Sequence, residues 1–199
     1  MISVKNFINF DEFEEFETIN QSKSTIVLTS QKYFSPSQKY IFKQFQFECY
    51  SSKDQKVILD TFNNIRKKDC QYLQSYNYLS FFFKSTFRPT FSMKFKTSKT
   101  LEQILKLPDL FSKMKIENIL HCLFAVAKGL SYLHSNLICH GNLCPSNIII
   151  DDANQFYLID FGLYPIKKLY IKDDELFNKD YKDPFMKYNH PTFSTDIYS

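Results

Sequence analysis

Tryptophan is absent from this sequence, glycine occurs three times in 199 residues, and arginine occurs only at Arg66 and Arg88. These scarcities narrow the range of functions. The formal charge of +4 rests on lysine, whose ammonium lacks the planar fork with which arginine grips phosphates and base edges, so nucleic acid is not an expected partner. The five cysteines, Cys49, Cys70, Cys122, Cys139 and Cys144, are odd in number and irregularly spaced. They do not make the paired framework of a small secreted domain and are expected as reduced thiols. No apolar run approaches the roughly 18 residues that a membrane span needs. The start, MISVKNFINFDEFEEFE, alternates acids with phenylalanines and has no basic stretch ahead of an apolar core, which argues against a signal peptide. The expectation is a cytoplasmic chain with no membrane partner.

Apolar material is plentiful: 44% of residues are hydrophobic, with 22 Phe and 13 Tyr, enough to core one ordinary domain or two small lobes. From Phe13 to Phe95 the runs TIVLTS, YIFKQFQF, YLSFFF and TFSMKF are aromatic and β-branched and are parted by Ser, Lys, Asn and Pro, which reads as strands. FFFK, residues 81–84, is taken as buried strand. One helix interrupts them, with Ser52 and Gln55 in a capping-box pattern and Val57, Ile58, Phe62 and Ile65 on one face. Past residues 98–100 the period turns helical. LEQIL makes a short helix, and Ile116, Ile119, Leu120, Leu123, Val126, Ala127, Leu130 and Leu133 mark the apolar face of a long one. NIII (147–150) and FYLID (156–160) flank the polar DDANQ and suit a hairpin. From Tyr164 the chain is charged and aperiodic, as in a long exposed loop.

The residues that carry chemistry are His140-Gly141-Asn142-Leu143-Cys144-Pro145-Ser146-Asn147 and, after the hairpin, Asp160-Phe161-Gly162. Cys139, His140 and Cys144 are zinc-ligand types, but a fourth ligand and the paired C-x-x-C spacing are missing, so no zinc is expected. A Cys-His nucleophile pair would need an orienting acid beside it. The order and spacing, following a helix that ends GLSYLH, resemble the protein kinase signature, in which a loop of the type H-R-D-L-K-P-x-N precedes two short strands and D-F-G. The chain is similar to eukaryotic protein kinases over nearly its whole length, as a degenerate and C-terminally truncated member. The resemblance implies an α+β, bilobal fold: a β-rich lobe over 1–95 and a partial helical lobe over 96–199 that stops at the start of the central helix. The end at Ser199 reads as a fragment, an incomplete gene prediction or a truncated paralogue.

Carried over residue by residue, the resemblance implies that Lys43 of IFK holds the α- and β-phosphates of ATP. It further implies that Val27, Met93 (the gatekeeper) and Phe95 line the nucleotide, and that Asp160 and Asn147 are Mg²⁺ ligands. Several positions depart from the pattern. The glycine-rich loop falls at Ile19 to Val27 and contains no glycine, although close backbone approach to phosphate favours that residue. Residues 53–68 hold no Glu to pair with Lys43; Asp60 is the nearest carboxylate in sequence. Asn142 stands at the catalytic Asp and Cys144 at the catalytic-loop Lys. An amide cannot accept the proton of a substrate hydroxyl at neutral pH, and loss of a positioned base costs about 10²- to 10⁴-fold. A neutral thiol supplies no compensating cation. Gly141 replaces the Arg that clamps a phosphorylated activation loop, and Phe185 replaces a Glu that forms a structural ion pair. Asp196 matches the Asp that bonds the catalytic-loop backbone.

The expectation is a pseudokinase, a binding or regulatory module for a protein partner, with ATP and Mg binding weakened. The alternative is an active protein kinase, transferring phosphate from ATP to protein Ser/Thr or Tyr with rearranged groups, which the intact Lys43, Asn147 and Asp160 support. A remnant without a stable fold is the third reading.

Overall fold

In the computed structural model, described for residues 8–66, 68–83, 85–95, 98–112, 114–172, 177–184, 186 and 190–199, the chain divides into two compact units. One is Met1–Lys67 with Ser75–Lys96, the other Lys68–Gln74 with Thr97–Ser199. The first is built on a sheet and the second mainly on helices, the α+β, kinase-like organisation expected from the sequence.

The sheet of the first unit comprises β1 (Glu17–Gln21), β2 (Thr25–Lys32), β3 (Ser35–Phe45), β4 (Tyr78–Ser80) and β5 (Thr90–Lys94), in the order β1-β2-β3-β5-β4 with every pair antiparallel. Side chains alternate along a strand, so β3 sends Tyr40 and Phe42 to one face and Ile41, Lys43 and Phe45 to the other. On the first face Phe13 packs edge-on to Tyr40 (5.3 Å between centroids) and to Phe42 (5.0 Å), with Leu28 and Phe83 in the same cluster. The opposite face is covered by α1 (Ser52–Ile65), where Phe62 lies 5.2 Å from Phe91, itself 5.3 Å from Phe45. Phe42, Phe62 and Phe91 are all fully buried, each contributing about 2 to 3 kcal/mol through loss of apolar surface.

Two local expectations are corrected here. Helix α1 is capped by Ser51, not Ser52: the Ser51 hydroxyl accepts from the Asp54 N–H, and the Gln55 side chain instead donates to the Cys49 carbonyl at 3.0 Å. Residues 81–83 fall outside β4: Phe83 is buried but Phe82 is 49% exposed, because only Phe83 has the N-terminal aromatic cluster to pack against. Lys84 lies outside the described residues.

The second unit holds a three-stranded sheet of β6 (Ser98–Thr100), β7 (Ile148–Asp151) and β8 (Phe156–Leu158), of which β6 had no counterpart in the sequence reading. Helix α2 (Leu101–Leu105) opens with a capping box from Thr100 and Gln103, and α3 (Pro108–Phe111) follows it. The long helix is α4 (Ile116–Ser135). It ends in a Schellman turn, with Leu137 at φ 58°, its N–H bonded to the His134 carbonyl and the Ile138 N–H bonded to the Leu133 carbonyl. Gly129 lets α4 come close to β8, since a Cβ there would sit 2.9 Å from Leu158 Cδ1. The buried face runs through Cys122, Ala125, Gly129, Leu130 and Leu133, whereas Ile116, Leu120 and Leu123 of the expected apolar face are exposed. The apolar arc is wider than the face that β8 covers. Residues 68–74 join this unit because Leu158 bonds the Tyr72 carbonyl (2.8 Å) and accepts from the Gln74 N–H (2.9 Å).

The segment after Tyr164, expected as exposed loop, is in part helical and buried among the described residues. It forms α5 (Tyr164–Lys167), a 3-10 turn at Lys179–Tyr181 and α6 (Phe193–Tyr198), with Leu163 and Ile166 essentially inaccessible. Among the described residues no helix is long and apolar enough to cross a membrane.

Candidate functional site

Four of the site residues lie on the first unit. Lys43 is paired across the sheet with Val27 on β2 and Phe91 on β5, and Met93 is paired with Ile41. Cross-strand partners share a face, so Val27, Lys43 and Met93 stand together on the α1 side of the sheet. Lys43 is 8% exposed and Met93 6%. Phe95, half-buried just past β5, donates its backbone N–H to the Lys39 carbonyl at 2.9 Å. Asp60, on α1, is exposed and forms no ion pair or hydrogen bond with Lys43.

The β1–β2 turn at the expected glycine-rich loop closes on itself. Ser22 donates its N–H to the Thr25 carbonyl at 2.8 Å, while its hydroxyl accepts from the Thr25 N–H (3.0 Å) and the Ser24 N–H (3.3 Å). Three of the turn's backbone donors, those of Ser22, Ser24 and Thr25, are therefore satisfied within it. The absence of glycine is legible in the sequence, whereas the capture of two of these donors by a serine hydroxyl depends on the turn's geometry.

The other four residues lie on the second unit, around the loop 139–147. His140 is buried, and its carbonyl accepts from the Gly162 N–H at 3.1 Å, tying the loop to the turn after β8. Burial pushes the His140 imidazole down to about 4, against smaller opposing effects of Asp196 and Asp160. Neither ring nitrogen has a hydrogen-bond partner among the described residues. From α6 the Asp196 carboxylate, 2% exposed, accepts the backbone N–H of His140 (2.7 Å) and of Gly141 (2.8 Å), and lies 2.9 Å from His134 Nε2. Gly141 has φ 75°, a left-handed conformation that glycine adopts without penalty.

Asn142 sits at the middle of this loop. Its backbone carbonyl accepts from Asn147 Nδ2 at 2.8 Å, and its side-chain Oδ1 accepts from the Asn178 N–H at 3.2 Å. The amide is thus engaged with the segment that follows α5, a contact between residues 36 apart that no local pattern announces. Cys144 is 3% exposed, with Sγ 3.0 Å from Ser146 Oγ. Asp160 has φ 61°, a left-handed backbone that short polar side chains tolerate best after glycine. Burial, reinforced by the negative charge of Asp160, raises the pKa of the Tyr170 phenol. Burial likewise pushes the Cys139 thiol up to about 11, which keeps it protonated.

Asp160 and Asn147 both offer hard oxygen, and Asn147 commits its amide nitrogen to the loop, leaving oxygen as the atom to present. This donor set fits Mg²⁺, which takes one or two protein oxygens and completes its shell with water and phosphate. Accordingly, no group of three or more His, Cys, Asp or Glu among the described residues could hold a metal alone. The Ser22-closed turn keeps three of its own backbone donors from a phosphate. Phe185, expected at a lost ion pair, lies outside the described residues.

Residues 35–199 match the family model described as protein kinase domain. The chain is 45% identical over 56 residues to "Probable serine/threonine-protein kinase cdc7" of Dictyostelium discoideum, a match covering 28% of this chain and 5% of that protein. It is 42% identical over 53 residues to "Cyclin-dependent kinase 14" of Oryctolagus cuniculus, covering 27% of this chain and 11% of that protein. The Xenopus laevis protein of the same name is 42% identical over 53 residues, 27% of this chain and 12% of that protein. The matched stretches thus span about a tenth or less of the length of these relatives.

Proposed function

The chain belongs to the protein kinase domain family, and from that premise we propose that it is a pseudokinase: a kinase-like module that binds or regulates a protein partner in the cytoplasm without transferring phosphate. The observation that carries this reading is Asn142. Where a carboxylate would accept the hydroxyl proton there is an amide, and its oxygen already receives the Asn178 N–H at 3.2 Å. An amide oxygen accepts hydrogen bonds but takes up no proton near neutral pH. Cys144, with its sulfur beside the Ser146 hydroxyl, brings no positive charge to a transferring phosphate.

Magnesium-bound ATP supplies, when present, the phosphoryl group and the charge that offsets it. Lys43 would hold the phosphates, Asp160 and Asn147 the cation, and Val27, Met93 and Phe95 the base. Asp196 and His140 keep the loop in shape with or without nucleotide. The Ser22-closed turn weakens the grip on phosphate, since its Ser22, Ser24 and Thr25 N–H groups are already bonded.

An active kinase with rearranged groups is the rival reading, favoured by the intact Lys43, Asn147 and Asp160. A thermal-shift titration with ATP and Mg²⁺ separates the possibilities when combined with labelled-phosphate transfer. Ligand at a hundred times its Kd adds about 2.7 kcal/mol. The expected outcome is a shift only at millimolar ATP, lost in Asp160→Ala, with no transfer. No shift at any concentration reduces the chain to a nucleotide-free scaffold. Transfer that disappears in Asp160→Ala overturns the pseudokinase reading.

A further inference from the structure

A cavity of about 840 Å³ opens on the first unit beside residues 8–16, well apart in sequence from the residues assigned to nucleotide. Its apolar lining includes Phe10, Phe16, Tyr33 and Phe82, and Asp11 and Glu15 line it as well. Tyr33 and Phe82 are 56% and 49% exposed, which leaves apolar ring surface open to a partner. No lysine, arginine or histidine lines the cavity among the described residues. The Asp11 and Glu15 carboxylates are exposed, with no ion-pair or hydrogen-bond partner among the described residues.

This corner already shows what it accepts. The Lys32 ammonium lies 5.4 Å above the Phe13 ring and 2.6 Å from the Glu12 carboxylate. The hydrogen bond to Glu12 raises its pKa above the usual lysine value. A cation held at once by a ring face and a carboxylate gains from both. Five of the 21 acids of the chain, Asp11, Glu12, Glu14, Glu15 and Glu17, fall in this one stretch, while the whole chain is net +4. The patch is a local reversal of sign, so a basic segment is drawn here and repelled by the lysine-rich remainder.

The geometry points to a docking site for a short basic peptide segment of a partner protein, in which Lys or Arg alternates with apolar side chains. The apolar residues fill the aromatic walls, and the cations reach Asp11 and Glu15 as Lys32 reaches Glu12. Phe10, Phe13 and Phe16 recur every third residue with two acids between each pair, so rings and carboxylates lie close together along this stretch. An extended peptide, whose successive side chains point to opposite sides, offers apolar groups to the rings and cations to the carboxylates.

The test is fluorescence anisotropy on the full chain with a fluorescein-labelled peptide of about ten residues alternating arginine and valine, and with a control carrying glutamate for arginine. The expected result is binding of the arginine peptide alone, weakened about tenfold or more in the Asp11→Lys/Glu15→Lys variant and severalfold between low and high salt. Phe82→Ala, at a half-exposed position, should keep its circular dichroism spectrum and melting temperature and lose several-fold in affinity. Equal binding of the two peptides, or undiminished affinity in the doubly substituted chain, overturns the proposal. So does a concentration-dependent dimer in sedimentation that the lysine substitutions abolish, which would make the occupant a second copy of this chain.

Discussion

Acidification should destabilise the second unit through one residue, His140. Its imidazole is buried, has no hydrogen-bond partner at either nitrogen among the described residues, and is pushed down to about 4 by that burial. In the unfolded chain the same group returns to an ordinary value of about 6.5. Between these two values the unfolded state binds the proton more readily than the folded state does. Stability therefore falls as pH drops through about 6.5, with a limiting slope of about 1.4 kcal/mol per pH unit, and the loss levels off at about 3 kcal/mol below pH 4. Above pH 7 the contribution is complete and the curve is flat. The assay is urea unfolding followed by far-ultraviolet circular dichroism at a series of pH values from 7.5 to about 4, on the wild-type chain and on His140→Phe. Phenylalanine fills the site and has nothing to protonate, so the difference between the two proteins carries the His140 contribution. That difference should grow by about 3 kcal/mol toward acid. A difference that stays constant across the range would refute the reasoning.

Asp196→Ala should cost about 3 kcal/mol or more, because two loop N–H groups lose a charged acceptor in a buried site; urea unfolding measures it, and a cost below about 1 kcal/mol contradicts the anchoring role. Gly141→Ala should cost about 1 to 2 kcal/mol, since φ is 75° and the added Cβ would meet Pro191 at 3.3 Å; an unchanged melting temperature would exclude that strain. Phe42→Ala should destabilise the first unit by about 3 to 5 kcal/mol, read from the same unfolding curves. Restoring the kinase-type residues with Asn142→Asp and Cys144→Lys should not restore phosphate transfer, because the Ser22-closed turn is untouched. Robust transfer by that double variant would trace the silence to those two positions alone.

Periodic apolar residues made most of the elements legible. Strands β2, β3 and β5, helices α2 and α4, and the β7–β8 hairpin follow the patterns of their own side chains. Where the pattern is degenerate, neighbours decide. Three consecutive phenylalanines at 81–83 carry no alternation, and only the distant Phe10 and Phe13 cluster selects Phe83 for burial. Ser51 and Ser52 are both plausible caps, and the bond from Gln55 to the Cys49 carbonyl favours the earlier start. Helix α5 spans four residues, too few for a period, and it is held by burial of Ile166. On α4 the periodicity marked Ile116, Leu120 and Leu123 as inward, whereas the β8 contact turns a different arc inward. At the candidate site, residue types at fixed spacing pointed to the loop and to Asp160. The bond from Asn178 to Asn142, the closure of the turn by Ser22 and the meeting of His134 with Asp196, 62 residues apart, depend on backbone placement that no local spacing encodes.

The most direct test of the central claim, that the Asn142 amide leaves the loop without a proton acceptor, is transfer of labelled phosphate from ATP, with Mg²⁺ or Mn²⁺, to a mixed Ser/Thr/Tyr peptide substrate. Wild type, Asn142→Ala and Asp160→Ala are compared side by side. The account predicts that all three give the same background. A wild-type rate that stands above Asp160→Ala and falls about a hundredfold or more in Asn142→Ala would contradict it.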